Sequence, residues 1–304
     1  MVGLLAGALS TNAGKKVTYK LHRSYGLSKT SLYEEAHFGT LKHARVAKIK
    51  RLSRKYLLAE LELIEPLETS PGPAQFVMIW IPGIDYIPMS IADYNGSKIT
   101  LFFSIRGEGT EALASSTGKV VGIIGPLGKV LAINTKSSHL LVAGGTGLAP
   151  IIRLAKELNE LGLLTAVIWG TRGSKDVGEV PMYFKEVTGF ELSVCTEDCS
   201  AGYCGKATDL ISEILPKFKG NELVIAGPND MLATAADLGI KAGTDPILIL
   251  ESTVECGLGV CGSCILGKTG LRLCRDGPAF RASEVMDYLV EHFVAKASKI
   301  TNNP

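Results

Sequence analysis

Two rhythms of apolar residues divide this chain. From Ala44 the stretch ARVAKIKRLSRKYLLAELELIEP alternates apolar and polar positions in runs that stop at Pro66, and QFVMIWIPG, ITLFFSIRG and KVVGIIGPLGKVL continue in the same manner. A period of two sends one side of an extended chain into a core and the other into water, so these runs predict short strands. The breaks between them, SPGP, IPG, YNGS, TGK and GPLGK, are made of residues that favour tight reversals. Together they predict a small antiparallel barrel over residues 41–137.

After Ser138 the rhythm changes. HLLVAGG, LTAVIWGTRG, ELVIAGP and DPILILES are continuous apolar runs, with helical stretches such as TGLAPIIRLAKELNELG and NDMLATAADLGIKAG between them. Strands apolar on both sides and joined through helices imply a parallel sheet covered on both faces. The expected fold class is therefore α/β plus all-β. An antiparallel β-barrel is followed by a Rossmann-like parallel α/β domain over 138–250, a cysteine-rich subdomain over 251–282 and a C-terminal helix over 283–304. Val285, Leu289, Val290 and Phe293 are expected on one stripe of that helix, packed against the body. Residues 1–40 stay unassigned: MVGLLAGAL has no charged residue before it, which matches a secretory signal poorly and reads as a mobile extension or a misassigned start. No run approaches the roughly 18 apolar residues of a spanning helix, so no membrane span is expected.

Composition changes the picture in two places. A formal net charge of +2 lacks the strongly basic character of a nucleic-acid binder, so no nucleic-acid partner is expected. The seven cysteines are uneven, three at 195, 199 and 204 and four at 256, 261, 264 and 274. That suits ligation in a reducing, cytoplasmic compartment better than an extracellular disulfide framework. Cys195, Cys199 and Cys204 have no ligand spacing and read as inert thiols, a Cys199–Cys204 disulfide being the alternative.

The other four carry chemistry. Cys256, Cys261, Cys264 and Cys274 are separated by four, two and nine residues, close to the plant-type 2Fe-2S spacing in which one tight loop offers three thiolates and a later segment the fourth. Gly257, Gly259 and Gly262 let such a loop wrap a cluster and aim backbone N–H groups at sulfur. The alternative is structural zinc, which usually shows two short Cys pairs separated by a longer spacer. In LLVAGGTGLAPIIRLAKEL, Gly144, Gly145, Thr146 and Gly147 lie between a strand and a helix, where free N–H groups favour a pyrophosphate. Gly227 and Pro228 end a second strand at the same crevice. Arg172, Ser174 and Lys175 follow the strand between them, where an adenosine ribose or a 2′-phosphate would lie, and NAD against NADP stays open. In the barrel region, Ser90 after a strand end can bond a flavin edge, and GEGT offers N–H groups and the Thr110 hydroxyl to phosphate.

GPAQFVMIWIPG, IPMSI, GEGTEAL, GPLGK, VAGGTGLAP, TEDCSAGYCGKATDL, AGPNDML and ECGLGVCGSC followed by CRDGPAF occur in one order. In this respect residues 43–282 resemble the electron-transfer subunits of NAD-linked dihydroorotate dehydrogenases, within the ferredoxin-NADP reductase superfamily. The resemblance implies that Pro88, Met89, Ser90 and Gly107, Glu108, Gly109 and Thr110 cradle FAD. It also implies that Gly145, Gly147, Gly227 and Pro228 line the NAD side and that the four loop cysteines hold a 2Fe-2S cluster. The implied partner is an FMN-containing catalytic subunit, in a heterotetramer that oxidises dihydroorotate for pyrimidine synthesis. An NADH-dependent ferredoxin:NADP oxidoreductase or sulfide dehydrogenase small subunit is the alternative, and a zinc-bearing regulatory module is a third. Two departures stand out. Superfamily flavin motifs place an arginine where this chain has Ile87, which points to Arg106 as the substitute, and TEDGS reads TEDCS, so position 199 tolerates a side chain.

Overall fold

The computed structural model describes residues 40–217 and 221–301, with side chains described as far as residue 291. The N-terminal extension up to residue 39 and the Phe293 side chain lie outside them.

Six strands close a barrel: β1 (Lys42–Arg51), β2 (Tyr56–Leu63), β3 (Phe76–Ile81), β4 (Asp85–Tyr94), β5 (Lys98–Ser104) and β6 (Val120–Leu127). Their order is β1-β2-β5-β4-β3-β6, with β6 returning to β1 and every pairing antiparallel. Alternation drives the closure, since Ala44, Val46, Leu57, Ala59 and Leu61 all point into one interior core with Val77, Ile79, Ile91, Leu101 and Ile123. A helix of about two turns, α1 (Glu108–Ala114), links β5 to β6.

The second sheet holds β7 (His139–Gly144), β8 (Leu164–Thr171), β9 (Ser193–Thr196), β10 (Tyr203–Cys204), β11 (Glu222–Ala226), β12 (Ile247–Ile249) and β13 (Ala279–Arg281), in the order β10-β9-β8-β7-β11-β12-β13. All pairings are parallel except the last. β7 is buried at every position, as a strand covered on both faces must be. One face carries α2 (Leu148–Glu160) and α4 (Val180–Thr188), after the short α3 (Ser174–Val177). The other carries α5 (Ala207–Ile214), α6 (Asn229–Lys241) and α8 (Ala282–Thr301), joined by Leu273 and Cys274 of the four-residue α7 (Leu273–Asp276).

The sheet differs from the sequence expectation at one edge. β13 comes from the cysteine-rich segment and runs antiparallel on β12, so that segment completes the sheet rather than hanging from it. On α8, Val285 and Leu289 are buried but Val290 is 49% exposed. At about 100° per residue, position 290 points about 140° away from position 285 and cannot share its stripe.

Candidate functional site

The chain runs from β7 outward through β8, β9 and β10, then returns to build β11 and β12 on the other side of β7. The direction of the sheet reverses between β7 and β11, which opens a crevice at their carboxyl ends. Gly147 sits at its floor. A Cβ there would lie 2.6 Å from the Gly227 nitrogen and closer still to the Ala226 backbone, so only glycine lets the β7 turn meet the end of β11.

A cleft of about 250 Å³ opens above this floor. It is lined by the expected Pro88, Met89, Ser90, Arg106, Thr110, Thr146, Gly147 and Gly227, whereas Gly107, Glu108, Gly109, Gly144, Gly145 and Pro228 do not line it. Its walls are apolar, with Phe76, Phe102 and Phe103 from the barrel and Val254, Leu273 and Pro278 from the cysteine-rich segment. Aromatic walls with hydroxyl and guanidinium groups at the rim suit a flat heteroaromatic ring carrying a polar tail, as FAD does.

Two of the flavin expectations change. Ser90 lies inside β4, paired with Phe76, rather than after a strand end. The Thr110 hydroxyl accepts from the backbone N–H groups of Arg106 (2.8 Å) and Gly107 (3.1 Å) and donates to the Gly107 carbonyl. It therefore closes its own turn and is not free for phosphate. Arg106 reaches across the cleft mouth instead, donating to Thr146 Oγ1 at 2.5 Å and pairing with Glu251 at 3.4 Å. Arg106, the expected substitute for the arginine missing at Ile87, thus lies between barrel and glycine turn.

The barrel is also locked to the turn by residues the sequence did not single out. Trp169, fully buried, donates its indole N–H to the Gly145 carbonyl at 3.0 Å. The edge of its ring meets Tyr56, which stacks on Phe102 and whose hydroxyl lies 3.2 Å from Thr171 Oγ1. Burial raises the Tyr56 pKa, so this hydroxyl stays protonated and able to bond. Arg172, Ser174 and Lys175 lie beyond the cleft, at the end of β8 and the start of α3. Glu251 and Ser252, which do line it, follow the carboxyl end of β12, where strand-end reasoning finds them.

The cysteine loop lies against the barrel. Gly257 (φ +69°) and Gly259 (φ +73°) turn it where a Cβ would strike Met78 and Leu127, or Arg275. The Leu258 N–H points at Cys256 Sγ (3.3 Å) and the Gly259 N–H at Cys274 Sγ (3.1 Å), while Cys264 and Cys274 sulfurs stand 3.3 Å apart. Arg272 pins the loop by donating to the Gly259 carbonyl at 3.0 Å, and is itself held by Asp276. Burial pushes the Cys256 thiol up, but backbone N–H groups of Cys261, Leu258 and Val260 outweigh it and bring the pKa to about 6. A thiolate is the ligating form. Cys274 is pushed up to about 12 by burial and by the neighbouring Cys264, the setting in which a coordinated metal deprotonates a thiol outright. Among the described residues no three His, Cys, Asp or Glu side chains converge to hold one metal ion.

The three remaining thiols divide. Cys195 is buried on β9 and pushed up to about 11 by desolvation, an inert thiol as expected. Cys199 and Cys204 are joined in a disulfide, so the alternative reading of that pair holds. Their proximity depends on β10 pairing with β9, which sequence spacing does not display.

Barrel, switch-point sheet and cleft between them define the class, an oxidoreductase of ferredoxin-NADP reductase architecture with an iron–sulfur segment built into its sheet edge. A chain from the structure of an NADH-dependent reduced ferredoxin-NADP oxidoreductase is similar, with a TM-score of 0.71 and 26% identity over 82% of this chain and 91% of that one. An Amycolatopsis cytochrome P450 reductase shares the fold at a TM-score of 0.59, with 23% identity over 68% of this chain and 67% of that one. Residues 251–286 match the family described as the iron-sulfur cluster binding domain of dihydroorotate dehydrogenase B. A probable dihydroorotate dehydrogenase B (NAD(+)) electron transfer subunit of Methanopyrus kandleri is 33% identical over 80% of this chain and 90% of its own length. The corresponding subunit of Caldanaerobacter subterraneus is 32% identical over 71% and 87%. The chain belongs to the family of dihydroorotate dehydrogenase B electron transfer subunits.

Proposed function

We propose that this chain transfers electrons from a dihydroorotate-oxidising partner to NAD+, through a 2Fe-2S cluster and FAD held by its own residues. The observation that carries the reading is the shared cleft: Val254, Leu273 and Pro278 of the cysteine-rich segment, Ser90 and Phe102 of the barrel and Gly227 of the sheet line one cavity. When bound, the cluster carries single electrons, the flavin pairs them, and the nicotinamide takes a hydride.

The chain's own residues position these groups. Pro88, Met89 and Ser90 would hold the flavin edge, and Arg106 would set a positive charge at the mouth of the cleft for its phosphates. The turn from Gly107 through Glu108 and Gly109 to Thr110 would shape that mouth from behind. The Gly144–Gly147 turn, with Gly227 and Pro228, would receive the pyrophosphate of NAD at the reversal of the sheet. Cys256, Cys261, Cys264 and Cys274 would ligate the cluster. Cys261 is exposed and flanked by Val260, 72% exposed, which supports a cluster mouth facing a partner. We infer an FMN-containing catalytic subunit there, in a heterotetramer, in the cytoplasm. Among the described residues no helix is long and apolar enough to cross a membrane.

Replacing Cys261 by Ser tests the route. The variant complex is expected to retain FAD and to lose dihydroorotate-driven NAD+ reduction by more than a hundredfold. Survival of that activity would show that electrons take another path. An anaerobic spectrum of the native complex separates the ferredoxin-linked alternative, since bleaching of flavin and cluster bands by NADH but not by dihydroorotate would assign the chain to a different partner.

A further inference from the structure

The Cys199–Cys204 pair stands apart from every group used above. It closes a loop of sequence separation 5 with both residues exposed. A disulfide stabilises by removing chain entropy that grows with the logarithm of the loop it closes, so one this short is a weaker staple than a long-range one. Exposed disulfides are those that exchange. The third thiol, Cys195, is buried and set away from solvent on β9.

The loop leans on the end of β8. Glu197 and Asp198 donate their backbone N–H groups to the carbonyls of Thr171 (3.2 Å) and Arg172 (3.1 Å). The Ser174 N–H donates to Ser200 Oγ at 2.6 Å, and Ser200 in turn bonds the Asp198 carboxylate. Gly173 packs so tightly under Asp198 that a Cβ there would enter the carboxylate. The supported turn follows directly on the strand that carries Trp169, whose indole holds the Gly145 carbonyl. Cys199 has φ +60°, a conformation that costs a residue with a side chain energy, and it is covalently linked to Cys204.

We propose that Cys199 and Cys204 form a thiol–disulfide exchange site for a protein dithiol of the thioredoxin type, and that the oxidised pair tightens the nucleotide crevice. One thiolate of the incoming dithiol attacks a sulfur of the pair and displaces the other as a thiolate, giving a mixed disulfide. The second donor thiolate then displaces the chain's sulfur. The Cys199–Cys204 bond is broken, a disulfide is formed in the donor, and two electrons with two protons end on the two cysteines. Freed of the link, Cys199 relaxes from its left-handed conformation, and Asp198 and Ser200 lose their fixed placement under the 171–174 turn. The gate rests on the reading of the crevice as the NAD site; the exchange chemistry does not.

The test uses the holoprotein. It is incubated with reduced thioredoxin, the thiols are alkylated, and peptides are weighed; Cys199 and Cys204 are expected to gain one label each. NADH binding to the oxidised and reduced forms is titrated in parallel. The reduced form should bind about five-fold more weakly, the scale of one lost hydrogen bond. The double variant Cys199→Ser, Cys204→Ser should match the reduced form with or without thioredoxin. Unlabelled cysteines would overturn the exchange site. Equal affinity in the two forms would overturn the gate alone. Absence of NADH binding in both would remove the nucleotide reading and the gate with it, while the labels still decide the exchange site. If the double variant does not fold, the two redox forms of the wild-type chain give the same comparison.

Discussion

At the scale of single residues, the crevice depends on what is missing from Gly147. The β7 turn and the end of β11 meet backbone to backbone there, and any side chain must push them apart. Gly147→Ala is therefore an overpacking change in a fully enclosed position, expected to cost about 1–3 kcal/mol. Its thermal midpoint should fall by several degrees and its KM for NAD+ should rise, with NADH binding weakened in parallel, because the turn that would hold the pyrophosphate moves. A variant that melts and binds NADH like the wild type would show that the two turns have room between them. The sequence made this glycine visible, as one of three in a strand-to-helix turn. It could not make Trp169 or Tyr56 visible, because an aromatic residue in an apolar run reads as core, and only the fold brings Trp169 to Gly145 and Tyr56 to Thr171. The Cys199–Cys204 pair was one of two readings for the same reason.

At the scale of elements, the foot of the sheet holds a buried histidine that the site does not use. His139 opens β7, is 2% exposed, and lies 3.3 Å from Glu222 of β11, which Arg281 of β13 also engages at 2.7 Å. Burial lowers the His139 pKa below its ordinary value, and the Glu222 carboxylate opposes this without overcoming it. The unfolded chain then binds a proton more readily than the folded one, so stability is full above about pH 6.5 and is lost as pH falls below it. Urea midpoints for wild type and His139→Gln between pH 7.5 and 5.5 check the sign. The wild type should lose stability relative to the variant on acidification, by no more than about 1.4 kcal/mol per pH unit for one proton. A relative gain would mean that the Glu222 pairing dominates. Element by element, β7, β8, β11 and β12 were legible because central parallel strands are apolar throughout. β9, β10 and β13 were not: the three-residue β12 sits in the longer apolar run PILIL, whereas theirs are two to four residues with no such run around them and no period to read.

At the scale of the whole molecule, three separately legible parts join in a way that no local pattern announces. Alternation predicted the barrel, continuous apolar runs the sheet, and cysteine spacing the cluster segment. That Phe76, Met78 and Leu127 on the barrel's outer face share one core with Cys264, Leu266 and Cys274, and with Leu223 and Ile225 of β11, follows from packing alone. The cleft lies at this junction and takes walls from all three. A ligand seated there bridges them, so FAD should stabilise the chain as a unit and not merely the barrel. Linkage sets the scale: a ligand bound only by the folded state at a hundred times its Kd adds about 2.7 kcal/mol. Stripping FAD is expected to lower the melting midpoint, with loss of the cluster's visible absorbance tracking the same transition, and readdition should raise the midpoint steadily with the logarithm of FAD concentration. If the cluster band is lost at one temperature regardless of FAD while only barrel signals respond, the cleft's three walls are adjacent without being coupled. In that case the route from cluster to flavin would need a partner to align it.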